Sequence, residues 1–132
     1  MGSVEKNIFL HIMIAHREFG PIAKKILDRI DSGEEAVTSS LTIAETCAWL
    51  EYRKRKADVD IFLDAVESHS SLHRCETTYA DELRAKEIQR SYPRLEFFDR
   101  VYVAQMERLK LTEIYSNDRA LDRVKGIKRI FE

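Results

Sequence analysis

A chain of 132 residues with 44% apolar side chains is long enough to bury one core without disulfide staples and too apolar to be disordered. Its formal net charge of -1, from 22 basic and 23 acidic side chains, supplies no overall positive field for a polyanion, so nucleic-acid binding would need a local patch. Cys47 and Cys75 are isolated, so they are expected to be buried small hydrophobes rather than a disulfide pair; with no secretory signal in view, a reducing cytoplasm is the expected location.

Four Gly, two Pro and no internal repeat leave no candidate linker, so residues 1-132 are expected to form one domain. Met1-Gly2-Ser3 has the composition of a replaced native start, and the first strand is placed only around Val4. A helix follows from about Asn7; its apolar run, Ile8 to Ala15, is too short to span a bilayer and carries His11, so no membrane role is expected. A second helix is predicted from Pro21, a residue suited to helix starts, to about Asp31, with Ser32-Gly33 ending it. Glu35 to Ser40 reads as a strand running into hydroxyl caps. Helices from Leu41 and Asp58 follow, then a strand at Leu72 to Cys75 and a polar helix from Thr77 to Arg90. After Pro93 come a helix through Leu95 to Leu111, a strand at Glu113 to Tyr115, a short helix at Asp118 to Arg123 and a last strand at Lys128 to Phe131. Short strands alternating with long helices predict an α/β fold with a central parallel sheet covered on both faces.

In such a sheet, ligands bind beyond the carboxyl ends of the strands. Three acidic residues fall at these junctions. Glu45 lies in the opening turns of its helix on a face shared with Leu41, Ala48 and Trp49; Asp99 opens a helix after Phe97-Phe98; Asp118 directly follows a strand. Each has a local explanation: a capping box from Thr42 for Glu45, the helix dipole for Asp99, a cap for Asp118. Together they predict an anionic pocket. Two carboxylates about 4 Å apart repel by roughly 4 kcal/mol at an effective dielectric of 20, so a cluster needs a proton, a basic side chain or a cation. All-oxygen sites suit Mg²⁺ or Mn²⁺, and such ions support phosphodiester hydrolysis.

The segments TSSLTIAE (38-45), FFDRVYVAQM (97-106) and IYSNDRALDRVKGIKRI (114-130) resemble, in order and spacing, the signature segments of PIN domains, in particular the toxin ribonucleases of VapBC toxin-antitoxin pairs. NIFL (7-10) matches the stretch after the family's first acidic residue. The resemblance spans nearly the whole chain. It implies a three-layer fold and Mg²⁺- or Mn²⁺-dependent endoribonuclease activity, with Glu45, Asp99 and Asp118 as catalytic residues and Glu5 as a fourth metal ligand beside them. It also implies an RNA substrate, a small antitoxin protein covering the acidic groove, and a homodimer. One position departs: where the family has Asp, a small hydroxyl residue and Asn, this chain has Glu5-Lys6-Asn7. The extra methylene displaces the carboxylate and Lys6 adds a positive charge, so a rearranged site or a lower metal affinity and rate is expected.

A second reading keeps the fold as a catalytically weakened module that binds RNA or a protein partner. A phosphoacceptor receiver domain ranks below both, since Cys75-Glu76 stands where its aspartate would be. Among the remaining residues, Arg53 to Lys56 reads as a solvated helix end, whereas Arg100, Arg119 and Arg123 lie near the acidic edge and could follow an RNA backbone. His69 and His73 have the spacing of helical zinc ligands but straddle a helix end. Trp49, Phe62 and Phe98 are expected in the core, Ser116 near the metal or in a turn, and Asp122 in a surface salt bridge or behind the ligands.

Overall fold

Five strands, β1 (Gly2–Val4), β2 (Ala36–Ser39), β3 (Leu72–Cys75), β4 (Glu113–Tyr115) and β5 (Lys128–Ile130), form one parallel sheet in the order β3-β2-β1-β4-β5, in a computed structural model that describes residues 1-132. Helices α1 (Lys6–Met13) and α2 (Phe19–Asp31) link β1 to β2, and α3 (Ser40–Tyr52) and α4 (Lys56–Ser68) link β2 to β3. Helices α5 (Tyr79–Ser91) and α6 (Phe97–Leu109) then carry the chain back across the sheet to β4, and a 3-10 turn (Arg119–Arg123) precedes β5. Right-handed crossovers running in opposite directions put α1 to α4 on one face and α5 and α6 on the other.

The two cores follow from this layering. Ile8, Ile26, Ile30, Leu50, Phe62 and Val66 pack on one face with Val4 and Tyr115, whereas Ile88, Val103, Met106, Leu121 and Val124 pack on the other with Ile114. Ile114 and Tyr115 are neighbours on β4 that point to opposite faces, as the two-residue period of a strand requires. The central strand β1 has little room beside it. A Cβ at Gly2 would lie 2.4 Å from the Tyr115 ring, so glycine at this position admits the aromatic side chain.

Local chemistry sets several element ends. Ser39 accepts a hydrogen bond from the Thr42 amide at 3.2 Å and turns β2 directly into α3. Thr78 and Asp81 form a reciprocal capping box at the start of α5. Helix α2 begins at Phe19, two residues before Pro21, because the His16 ring nitrogen accepts from the Phe19 amide at 3.0 Å. Pro21 then falls within the first turn, where its missing N–H costs nothing. No helix is long and apolar enough to cross a membrane.

The order β3-β2-β1-β4-β5 places the topological switch between β1 and β4, whose following connections leave on opposite sides. Val4 pairs with Tyr115, and the Glu5 amide continues the pairing onto the Tyr115 carbonyl at 3.2 Å. The crevice at this switch therefore begins with Glu5 on one side and Ser116 to Asp118 on the other.

Candidate active site

The crevice is a cleft of about 340 Å³ lined by Glu5, Lys6, Asn7, Glu45, Arg94, Glu96, Phe98, Asp99, Tyr102, Asp118 and Ala120. Four different stretches of chain deliver its carboxylates. Glu5 is the residue before α1, but its side chain makes no cap and is instead 5% exposed at the floor of the cleft. Asp99 is in the first turn of α6, and Asp118 precedes the 3-10 turn. Carboxylate oxygens of Glu5, Asp99 and Asp118 all lie within 4.8 Å of one another. Glu5 and Asp99 also sit at helix N-termini, where the dipole offsets part of their charge.

These groups are costly to ionise together. Burial, reinforced by the charges of Asp99 and Asp118, pushes the Glu5 carboxyl up to about 7, against the opposing effects of the Ser116 hydroxyl and the Lys6 ammonium. Burial likewise pushes Asp99 up to about 6, with Asp118, Glu96 and Glu45 adding repulsion. A divalent cation is the type of group such a donor set fits: hard oxygens from three carboxylates, converging and short of positive charge. Asn7 offers a further oxygen. Its amide nitrogen donates to Ser116 Oγ at 3.0 Å and to Glu5 Oε2 at 3.3 Å, while its buried Oδ1 has no hydrogen-bond partner. Ser116 is fully buried and also accepts from the Asp118 amide at 3.0 Å, so one hydroxyl braces both sides of the switch.

Glu45 occupies the same cleft in a different state. Lys6 Nζ donates to Glu45 Oε2 at 3.1 Å, and the Tyr102 hydroxyl donates to Glu45 Oε1. Burial still raises its pKa, with the Lys6 charge acting against the rise. The structure thus brings Glu5, Asp99 and Asp118 together and holds Glu45 beside them, tied to Lys6. The capping-box alternative for Glu45 does not occur, because Ser39 rather than Thr42 caps α3. Asp118 does cap: its Oδ1 accepts from the Ala120 amide at 3.0 Å while its carboxylate lies in the acidic group. One oxygen as a cap leaves the other available.

Other residues fall elsewhere. Phe98 is 45% exposed at the cleft rim rather than in the core, because it opens α6 ahead of the turn that packs on the sheet. Phe62 is buried, and Trp49 packs against the same core under Arg53. Cys47 and Cys75 are free thiols, each only partly buried. His69 ends α4 and bonds to the Ala65 carbonyl, and His73 pairs with Glu35, so the two do not share a helix face for zinc. Asp122 forms a salt bridge with Arg129 at 2.9 Å, on the surface rather than behind the acidic group. From the sequence, Asn7 has a place in the Glu5-Lys6-Asn7 motif without a role of its own, and Tyr102 has no assigned role. Each carried a positional signal: Asn7 two residues after Glu5, and Tyr102 one turn after Asp99 on the same helix face.

Comparison with known families matches residues 4-127 to the PIN domain. Among solved structures, VapC20 of Mycobacterium tuberculosis, described as a Sarcin-Ricin loop cleaving toxin, superposes with a TM-score of 0.77 at 17% identity, covering 96% of this chain and 98% of that one. VapBC2 from Rickettsia felis, bound to a promoter DNA fragment, gives 0.74 at 14% identity, with coverage of 97% and 96%. A toxin-antitoxin complex from Klebsiella pneumoniae gives 0.70 at 14%, again covering 97% and 96%. Comparison with curated protein sequences yields no match. A three-layer parallel fold shared with VapC toxins and a family match across almost the entire chain lead to one conclusion: the chain belongs to the PIN-domain family.

Proposed function

We propose that the protein is a divalent-metal-dependent endoribonuclease acting as the toxin of a toxin-antitoxin pair. The observation that carries this reading is the convergence of Glu5, Asp99 and Asp118 oxygens within 4.8 Å at the topological switch of the sheet. These three carboxylates would hold Mg²⁺ or Mn²⁺, with Glu45 as a fourth metal-site carboxylate beside them. The ion, when bound, supplies activation of a water and neutralisation of charge developing on the scissile phosphate. Asn7 and Ser116 fix the Glu5 carboxylate, and the Ser116 contact to the Asp118 amide fixes the loop that carries Asp118. Tyr102 orients Glu45. Arg94, on the cleft wall, offers a cation to a phosphate of the RNA backbone outside the acidic floor.

The VapC likeness supports an antitoxin partner and a homodimer. Exposed Phe97, Phe98, Tyr52, Ile61 and Leu83 provide apolar surface that protein partners would cover. Two free thiols suit a reducing cytoplasm.

A single comparison tests the reading: RNA cleavage in Mg²⁺, in Mn²⁺ and in chelator, by the wild type and by Asp99→Asn and Asp118→Asn. Metal-dependent cleavage lost in both folded variants supports it; cleavage that survives both assigns the activity elsewhere. The Lys6–Glu45 pair favours a second reading, in which the fold binds RNA or a partner without cutting. That reading expects Mn²⁺ to raise the melting temperature with no cleavage under any condition.

A further inference from the structure

Lys6 stands where the resemblance implies a small hydroxyl residue, and its side chain enters the acidic cleft. Its ammonium lies 3.1 Å from Glu45 Oε2 while Tyr102 engages Oε1, so both Glu45 oxygens already have donors from the protein itself. The triad is different. Asp99 is surrounded by repelling carboxylates, relieved in part by the Lys6 charge but by no side-chain hydrogen bond, and Glu5 and Asp118 lie within 4.8 Å of it.

We propose that Lys6 is a built-in monovalent counter-ion that takes the place of a second divalent ion at Glu45, leaving a one-ion site at Glu5, Asp99 and Asp118. This rests on the metal-dependent reading of the cleft and specifies how many ions the site takes and why. Charge bookkeeping favours it. As ligands, Glu5, Glu45, Asp99 and Asp118 would carry four negative charges, the formal match for two divalent ions, while Glu96 and Arg94 on the cleft lining cancel in the formal sum; Lys6 reduces the balance to three, and one divalent ion to one. A second ion at Glu45 would have to displace the ammonium or sit beside it against direct repulsion. The Lys6 side chain is 35% exposed and its ammonium has three donors. With one donor on Glu45, two remain for a phosphate oxygen of the RNA backbone. Lys6 thereby keeps a positive charge where a second metal ion would otherwise stand.

The test is Mn²⁺ stoichiometry, measured by isothermal titration and by electron paramagnetic resonance of the bound ion, with no RNA present. Wild type and Lys6→Arg, which keeps the charge, should each bind one Mn²⁺. Lys6→Ser should bind a second, with a dissociation constant at least about tenfold below the highest Mn²⁺ concentration at which the wild type still holds one ion. Lys6→Gln, which keeps a donor for Glu45 but not the charge, should do the same, and it guards against a folding defect in the serine variant. Glu45→Gln in the Lys6→Ser background should abolish the second site alone. Two ions on the folded wild type, or one ion on both folded neutral variants, overturns the role of Lys6 and leaves the metal-dependent reading intact. No ion on the folded wild type overturns both.

Discussion

Two buried carboxylates in this molecule have opposite fates. Asp81, 2% exposed at the start of α5, accepts from Arg108 through both oxygens at 2.8 Å and from the Thr78 amide at 2.9 Å. These donors outweigh the burial that opposes its charge and hold its carboxyl below the usual range. Glu5, 5% exposed, has a long amide contact from Asn7, the Ser116 hydroxyl and the Lys6 charge set against burial and two neighbouring carboxylates, and burial prevails, pushing its carboxyl up to about 7. Equal burial with unequal satisfaction separates a carboxylate that stabilises the fold from one that the fold holds ready for a ligand. A strongly perturbed carboxyl in a cleft is a functional candidate because the surroundings were not arranged to relieve it.

Substituting members of the two groups should separate them most sharply. Asp99→Asn or Asp118→Asn is expected to lower RNA cleavage by more than about 100-fold, beyond the range found for groups that only support metal ligands. In Asp99→Asn, removing a repelling charge should leave the melting temperature of the metal-free protein unchanged or raised. Saturating Mn²⁺, at about 100 times its dissociation constant, should stabilise the wild type by about 2.7 kcal/mol, read by denaturant unfolding with and without chelator. Absence of any shift would place Glu5 and Asp81 in the same structural class.

Asp81→Asn should act in the reverse sense. It weakens the capping box and two charge-assisted bonds, and with Arg108 still partly solvated the expected loss is about 2 kcal/mol of stability, with cleavage per folded molecule unchanged.

The pH dependence should also divide the two. Glu5 and Asp99 hold protons in the folded state that the unfolded chain releases at lower pH, so their contribution to metal-free stability is fully present below about pH 4 and lost as pH rises through about 6 to 7. Asp81, with a lowered pKa, contributes stability above its ordinary value that is lost on acidification. Melting temperature against pH, with and without Mn²⁺, checks this: the ion-induced rise should be larger at pH 7.5 than at pH 5. The smallest expected effect is that of Ser116→Ala. It leaves the Asn7 amide and the Asp118 amide without their common acceptor, at a cost of about 1 to 2 kcal/mol in unfolding free energy.

Much of the site was legible before the fold. Glu45, Asp99 and Asp118 each stand at a strand-to-helix junction or a helix opening that periodicity and cap chemistry expose, and the sheet topology carries all three to one cleft with Glu5. What escaped was pairing across space. Phe98 resembled a core residue because its sequence neighbours are apolar, yet the first turn of α6 projects it to the rim. Tyr102 stands one turn after Asp99 in the sequence, but its partner Glu45 is set only by the packing of α6 against α3.

The sequence alone determined the alternation of elements, the parallel sheet and the positions of its acidic residues, because hydrophobic period and capping are local and act within one or two turns. Only the tertiary structure decided which carboxylates share a space and which is already neutralised. The Lys6–Glu45 and Tyr102–Glu45 contacts join residues 39 and 57 positions apart, and their geometry depends on how α1, α3 and α6 pack over the sheet. Electrostatic energy follows distance through space rather than along the chain, so the charge state of the cleft exists only once the layers have closed.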